Sequence, residues 1–159
     1  KTTAALGLAL RAVGRGWRVV FFQFLKGGGK TGEVAAAGRL APELEIIQCG
    51  TGEFILGRPP TAEEIALART GLARAREVLA SGSADLVVLD EVAWAVELGL
   101  LEEEAVAEAV RARAPGVEVV LTGRAMPATL LALADLVSEI RCVRHPYERG
   151  LAGREGIDY

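Results

Sequence analysis

Five short apolar segments, separated by stretches of helical character, most constrain how this chain folds. The clearest are residues 18–25 (RVVFFQFL) and Leu86–Asp90 (LVVLD), and the others are 45–49, 118–122 and 137–143. Their pattern is apolar rather than alternating, which is typical of strands buried on both faces of a sheet. We therefore predict an α/β fold with a mostly parallel sheet.

Helices between these segments are expected to cover both faces of the sheet and give three layers. Thr2–Val13 has apolar residues at helical spacing, and a Gly-Arg-Gly stretch follows it. Residues 61–64 (TAEE) form a capping box that predicts the start of a long helix, which ends near Ser81. Two further helices are predicted at 102–112 and 127–135.

Composition excludes several classes of protein. The 159 residues carry a net charge of −3 with no basic stripe, so we do not expect a nucleic-acid partner. No apolar run approaches the length of a membrane span. Cys49 and Cys142 are far apart in sequence, which argues against a disulfide framework and favours the cytoplasm. We read residues 1–159 as one domain.

The first three residues, Lys1, Thr2 and Thr3, resemble the end of a phosphate-binding P-loop. Such a loop ends in Gly-Lys-Ser/Thr and opens directly into a helix, where backbone N–H groups, the ammonium and the hydroxyl converge on phosphate and Mg²⁺. This interpretation places the loop's glycines and a first strand before Lys1. The sheet would then have about six strands.

Asp90 and Glu91 follow the clearest strand and are candidate Mg²⁺ ligands. A cation that bridges phosphates needs oxygen ligands opposite the Thr2 hydroxyl, and ligands of parallel sheets bind at the carboxyl ends of strands. The alternative is an acidic pair that faces solvent.

Residues 27–31 (GGGKT) imitate a P-loop but fail its spacing. A P-loop needs a glycine where this chain has Phe24, and Gly32 with Glu33 is a poor helix start. We predict that residues 26–32 are a mobile loop facing a substrate.

An apolar loop and a strand-end arginine are further candidates. Phe54, Ile55 and Leu56 could cover a bulky flat ligand, or they could pack under a helix or against a second copy of the chain. Arg124 follows a strand and suits an anion contact, although it could also be a solvated charge. His145, next to a proline, is expected to be structural.

Together these segments resemble the P-loop family of corrinoid adenosyltransferases, the ATP:cob(I)alamin enzymes of cobalamin synthesis and salvage. The resemblance covers essentially the whole chain. It rests on KTTAALGLALRAVGRG, VVFFQFLKG, the Gly32-Glu33 pair, GTGEF, VVLDE, VVLTGR, LADLVSEI and VRHPYERGLAGREGIDY. The Gly-Ile-Asp-Tyr end is characteristic and leads us to expect the natural C-terminus.

The resemblance implies a RecA-like P-loop NTPase fold and attack by Co(I) of a reduced corrinoid on the 5′ carbon of ATP, releasing triphosphate. It also implies a homodimer and a flavin-type protein as reductant. The implied site residues are, for ATP, Lys1, Thr2, Thr3 and Arg11; for Mg²⁺, Thr2 with Glu91 or Asp90; and, for the corrin, Phe54, Ile55, Leu56 and Arg124. Relatives carry an aromatic pair in a Gly-Phe-Thr-Trp-like stretch, where this chain has one aromatic residue, Phe54.

Two other functions stay open at this point. A generic P-loop ATPase or kinase would also use Asp90-Glu91, with the glutamate orienting a hydrolytic water. A nucleotide-binding module without enzymatic activity would lack a working glycine loop before Lys1.

Overall fold

A parallel sheet forms the centre of the fold. The computed structural model describes residues 1–29 and 31–157. Within them, four strands are all parallel and lie in the order β2-β1-β3-β4. The strands are β1 (Val19–Gln23), β2 (Leu44–Gln48), β3 (Leu86–Asp90) and β4 (Glu118–Leu121). The helices are α1 (Thr2–Val13), α2 (Gly32–Ala37), α3 (Ala62–Ser81), α4 (Val92–Glu97), α5 (Glu103–Arg111) and α6 (Ala128–Leu131).

Two hydrophobic clusters cover the two faces of the sheet. Val19 and Phe21 of β1 pack with apolar residues of α1 and α2 on one face. Val20 and Phe22 of the same strand pack with α3, α4 and α5 on the other. Successive strand side chains point to opposite faces, so both faces need apolar residues. The predicted α/β architecture with a parallel sheet is thus confirmed.

The register of the sheet brings polar strand ends together. Gln23 at the end of β1 lies opposite Gln48 of β2 and Asp90 of β3. The loops that follow these strands therefore meet at one edge, as expected for parallel strands.

The predicted helix starts at residues 1–2 and 61–62 are confirmed. Thr61 accepts a hydrogen bond from the Glu64 backbone, and the Glu64 carboxylate accepts one from the Thr61 backbone, which completes the capping box of α3. Gly82 adopts a left-handed conformation at φ 64° and ends that helix. The predicted helix at 102–112 is confirmed as α5, whereas the one at 127–135 is shorter and spans Ala128–Leu131.

The predicted strand at 137–143 is wrong. Residues 136–142 have no regular secondary structure. Val137, Ile140 and Val143 are 60%, 55% and 89% exposed, so the apolar side chains are not covered by the described chain. A strand needs a neighbour to satisfy its backbone, and strand propensity alone does not supply one. The described residues therefore contain four of the roughly six strands that we predicted.

The expectation of a poor helix start at Gly32 is also wrong, because α2 begins there. Thr31 is extended at the N-cap, and Glu33 lies in the first turn, where a carboxylate interacts favourably with the helix dipole. Lys30 lies outside the described residues.

No helix in the described part of the chain combines the length and apolar character that crossing a bilayer requires.

Candidate functional site

Hydrogen bonds among three polar side chains connect the start of α1 to the end of β3. The Thr2 hydroxyl lies 3.0 and 3.1 Å from the two carboxylate oxygens of Asp90, to which it donates. The Thr122 hydroxyl donates to Asp90 Oδ1 at 2.7 Å and accepts from the Glu91 backbone N–H at 2.9 Å. Asp90 is fully buried, so these bonds compensate for the burial of its charge. The lone pairs of Thr2 Oγ1 are left available to a cation.

Glu91 is held in an unusual conformation beside Lys1. Its backbone is left-handed at φ 59°, which costs a non-glycine residue roughly 1 kcal/mol. Its Oε1 lies 3.9 Å from the Lys1 ammonium, while its Oε2 is buried without a hydrogen-bond partner among the described residues. A buried, unsatisfied carboxylate oxygen is costly, and such strain is found at functional sites. The structure thus brings Lys1, Thr2, Asp90 and Glu91 together, as the sequence analysis expected.

A second network orders the start of the loop after β1. Glu33 Oε1 accepts from Gln23 Nε2 at 2.9 Å and from Lys26 Nζ at 2.7 Å. Gln48 donates to Gln23 at 3.1 Å and accepts from the Gly29 backbone at 2.7 Å. Burial alone would raise the pKa of Glu33, but the hydrogen bonds from Lys26 and Gln23 outweigh it and lower this pKa to about 2. Side chains of two strands and α2 thereby fix residues 26–29.

This network predicts a pH-dependent contribution to stability. The pKa of Glu33 falls from 4.5 to about 2 on folding, so its contribution is present above pH 4.5 and is lost as the pH falls towards 2. We expect the free energy of unfolding of Glu33→Gln to decrease less between pH 4.5 and pH 2 than that of the native protein. Urea titration at several pH values measures this. Glu104→Gln, which alters an exposed ion pair on α5, is the control. An unchanged slope for Glu33→Gln would contradict this assignment.

Close backbone packing joins the loop after β1 to the loop after β2. A Cβ added to Gly27 would lie 2.2 Å from the Gly50 carbonyl oxygen, and one added to Gly52 would lie 2.9 Å from the Gly27 oxygen. The Gly50 N–H also donates to the Lys26 carbonyl at 3.1 Å. Only glycine permits this approach, so the two loops are positioned together.

We expect Gly27→Ala to separate these loops. The overlap should destabilise the protein by about 1–3 kcal/mol, the usual cost of overpacking. Gly32→Ala is the matched control, because its added Cβ would meet nothing within 4 Å. Chemical denaturation of both variants is the measurement. Equal stability of the two variants would contradict this prediction, because it would show that the loops can move apart without a cost in free energy.

The loop after β2 exposes two of its three apolar side chains. Phe54 and Leu56 are 81% and 70% exposed, while Ile55 is 9% exposed and packs into the core. Cys49 at the start of this segment is buried against Gly71 of α3, where a Cβ would lie 2.4 Å from the thiol sulfur. Burial raises the pKa of Cys49 to about 11, against a smaller opposite effect of Arg74. The loop thus exposes Phe54 and Leu56, while Cys49 and Ile55 are packed in the core.

Arg124 stacks on an aromatic ring that the sequence analysis did not consider. Its guanidinium carbon lies 5.2 Å from the centre of the Trp94 ring. Gly123 permits this arrangement, because at φ 152° an added Cβ would lie 2.5 Å from Ala93 Cβ. The stack fixes an exposed cation at the same sheet edge through a cation–π contact.

Two further predicted nucleotide contacts lie on α1 after Thr2. Thr3 is exposed in the first turn of α1. Arg11 lies in the last turn, about 14 Å along the helix axis from Thr2 at 1.5 Å per residue. Their roles remain predictions. His145 is structural as expected among the described residues, since its Nδ1 accepts from the Tyr147 backbone and caps a short 3₁₀ helix.

The side chains that sequence reasoning missed act through contacts distant in sequence. Trp94 lies on α4, a helix too short for its periodicity to be recognised. Residues 23–26 were expected among the candidates at the strand ends, but Glu33 was named only together with Gly32, and its hydrogen bond with Gln23 was not predicted. A polar residue inside an otherwise apolar strand was the one available signal, since a buried amide needs partners.

Comparison with known proteins identifies the family. Residues 1–159 match the family model described as ATP:corrinoid adenosyltransferase BtuR/CobO/CobP. The corrinoid adenosyltransferase of Escherichia coli strain K12 is 36% identical over 159 residues, which cover 100% of this chain and 80% of that protein. Corrinoid adenosyltransferase CobA of Salmonella typhimurium strain LT2 is 38% identical over 160 residues, which cover 100% of this chain and 80% of that protein. The corrinoid adenosyltransferase of Pseudomonas aeruginosa is 33% identical over 159 residues, which cover 100% of this chain and 78% of that protein. The chain therefore belongs to the ATP:corrinoid adenosyltransferase family, a family of transferases, as its sequence motifs led us to expect.

Proposed function

We propose that this protein transfers the 5′-deoxyadenosyl group of ATP to the Co(I) of a reduced corrinoid and releases triphosphate. The proposal rests mainly on one observation. A cluster of residues suited to bind phosphate and Mg²⁺ and an apolar loop lie at the same edge of the sheet. The cluster is Thr2, Asp90 and Glu91 with Lys1, and the loop presents Phe54 and Leu56.

The residues around Thr2 fit Mg²⁺. Within the described part of the chain, Glu91 has a buried oxygen without a partner, and the Thr2 hydroxyl donates to Asp90, which leaves its lone pairs for a cation. Mg²⁺ prefers such oxygen ligands and completes its shell with substrate phosphates and water. Thr2 and Glu91 would hold the ion, and Asp90 would orient Thr2. Bound there, it would neutralise charge on the triphosphate.

The reaction needs alignment and charge stabilisation rather than a general base. Co(I) is a strong nucleophile with no proton to remove, and the departing triphosphate accumulates negative charge. The Lys1 ammonium and the backbone N–H groups at the start of α1 would stabilise that charge. Thr3 would add to this binding and Arg11 to nucleotide contact. The protein's main contribution is to bring the 5′ carbon and the cobalt into line.

Phe54 and Leu56 would cover the corrin, because they are the exposed apolar side chains of the loop. Ile55 would serve the same site as the anchor of that loop. Contacts of this kind would keep the lower ligand away from the cobalt and so favour its reduction to Co(I). Arg124, fixed on Trp94, would bind a polar group at the corrin edge.

Several broader features belong to the same proposal. We take residues 1–159 as one RecA-like P-loop domain. The protein would act in the cytoplasm as a homodimer, and a flavin-type protein would supply the electron that reduces the cobalt of the corrinoid substrate to Co(I). The close linkage of α1 to β3 through Thr2 and Asp90 supports the P-loop assignment, because it places a lysine and a hydroxyl at the start of a helix facing strand-end carboxylates.

Product analysis tests the reaction. Purified protein with ATP, Mg²⁺ and chemically reduced corrinoid should yield an adenosylated corrinoid and triphosphate in equal amounts. Formation of ADP and phosphate in the absence of corrinoid would instead support the ATPase alternative. Binding of ATP without either product would support a nucleotide-binding module.

A further inference from the structure

The loop at residues 53–57 has an irregular backbone, yet its position is defined. Ile55 is buried, and a cavity of only about 10 Å³ lies beneath it among residues that include Phe24, Glu64 and Leu100. The loop therefore rests on the core and has little room to sink. Contacts of Arg58 hold the two ends of the loop.

Arg58 connects the two ends of this loop. Its guanidinium donates to both carboxylate oxygens of Glu64, at 2.9 and 2.7 Å, and to the Pro59 carbonyl at 3.2 Å. The same group lies 3.8 Å from Glu53 Oε2, just before Phe54. A two-pronged arginine–carboxylate pair fixes orientation as well as distance. Arg58 thus ties the beginning of the loop to the beginning of α3.

Glu64 is a firm attachment point. It is 4% exposed and simultaneously accepts from the Thr61 backbone in the capping box of a 20-residue helix. The hydrogen bonds from Arg58 and from Thr61 lower the pKa of Glu64 to about 2, so the pair is charged at neutral pH. Because α3 packs against the sheet, the Arg58 contact extends the rigidity of the core to the loop.

We propose that Arg58 is a positioning residue that holds Phe54 and Leu56 in place for the corrinoid. This inference rests on the proposed function, since it takes these side chains as the corrin-facing surface. Arg58 does not touch the reacting atoms. It reduces the ordering that corrinoid binding would otherwise require, and preorganisation of that kind improves affinity. ATP binding at Lys1 and Thr2 is independent of the pair.

Kinetics with Arg58→Met and Arg58→Lys test the inference. We expect Arg58→Met to raise the KM for corrinoid about fivefold to tenfold, with the KM for ATP changed less than twofold. Arg58→Lys should be intermediate, because lysine keeps the charge but not the two-pronged geometry. Arg111→Met, which removes an exposed ion pair with Glu104 on α5, is the matched control and should change neither constant.

A second variant guards against a trivial loss of folding. Arg58→Met leaves the buried Glu64 charge unpaired, whereas Arg58→Met with Glu64→Gln removes both charges and retains an oxygen to accept from the Thr61 backbone. The double variant should keep a raised corrinoid KM at near-native thermal stability. A corrinoid KM that returns to the native value would overturn the inference, because the single variant's defect would then come from the unpaired charge.

Limited proteolysis separates this inference from the proposed function. Without any substrate, chymotrypsin should cleave after Phe54 and Leu56 about tenfold faster in Arg58→Met than in the native protein or in Arg111→Met. Unchanged cleavage would overturn the positioning role even if the protein adenosylates corrinoids. Faster cleavage in a protein that makes no adenosylated corrinoid would support the role of Arg58 in the loop and reject the proposed reaction.

Discussion

Replacing Glu91 by Gln should lower the rate of adenosyl transfer on the order of 100-fold, the usual cost of losing one group that stabilises transition-state charge. The substitution keeps the shape of the side chain but removes the charge from a buried oxygen to which no residue in 1–29 or 31–157 donates. We expect the variant to need a higher Mg²⁺ concentration for half-maximal activity. Initial rates measured over a range of Mg²⁺ concentrations, at saturating ATP and corrinoid, test both effects.

Glu97→Gln is the matched control for this experiment. Glu97 lies at the end of α4, the helix that Glu91 precedes, and it is exposed. It should retain native activity and Mg²⁺ dependence. Native activity in Glu91→Gln would reject its role. Loss of activity with an unchanged Mg²⁺ requirement would instead assign Glu91 to the placement of Lys1, whose ammonium lies 3.9 Å away.

Phe54→Ala should lower kcat/KM for the corrinoid by about 10-fold to 100-fold and leave ATP binding nearly unchanged. Phe54 is 81% exposed, so its removal creates no cavity in the free protein. Covering a phenyl ring on binding is worth roughly 1.5–3 kcal/mol, and every 1.4 kcal/mol changes affinity tenfold. Steady-state kinetics with corrinoid varied, together with calorimetric titration of ATP, separate the two substrates.

Leu136→Ala removes a side chain that is equally exposed, at 85%, from a segment outside the proposed site. It should leave the kinetics for both substrates unchanged. Equal turnover in Phe54→Ala and the native protein would remove Phe54 from the corrinoid site. A parallel loss of ATP affinity would place the residue nearer the nucleotide than we propose.

The parts of the fold that depend on local chemistry were predictable from the sequence. The capping box of α3 requires only Thr61 and Glu64 at fixed spacing, and LVVLD identifies a buried strand through its side chains alone. The meeting of Thr2 with Asp90 also followed from sequence, because a P-loop helix and a strand-end carboxylate face each other in parallel sheets.

The parts that depend on tertiary contacts were not predictable in this way. Residues 137–143 have strand-forming side chains, but the described chain offers them no partner. The helix at Gly32 is stabilised by contacts of Glu33 with Gln23 and Lys26, which no local pattern reveals. The exposure of Phe54 and Leu56 beside buried Ile55 is likewise decided by how the loop rests on the core. Local propensity is therefore overridden where packing and charge pairing decide.

The burial of Cys49 has a chemical consequence for a protein that handles reduced cobalt. A thiolate is a soft ligand and nucleophile, whereas a thiol is neither to any useful degree. With a pKa of about 11, this sulfur stays protonated at neutral pH, although it lies at the start of the loop that carries Phe54 and Leu56. We expect it to resist iodoacetamide in the native protein. If the corrinoid binds over Phe54 and Leu56 as we propose, its cobalt is thereby spared a competing sulfur donor close by.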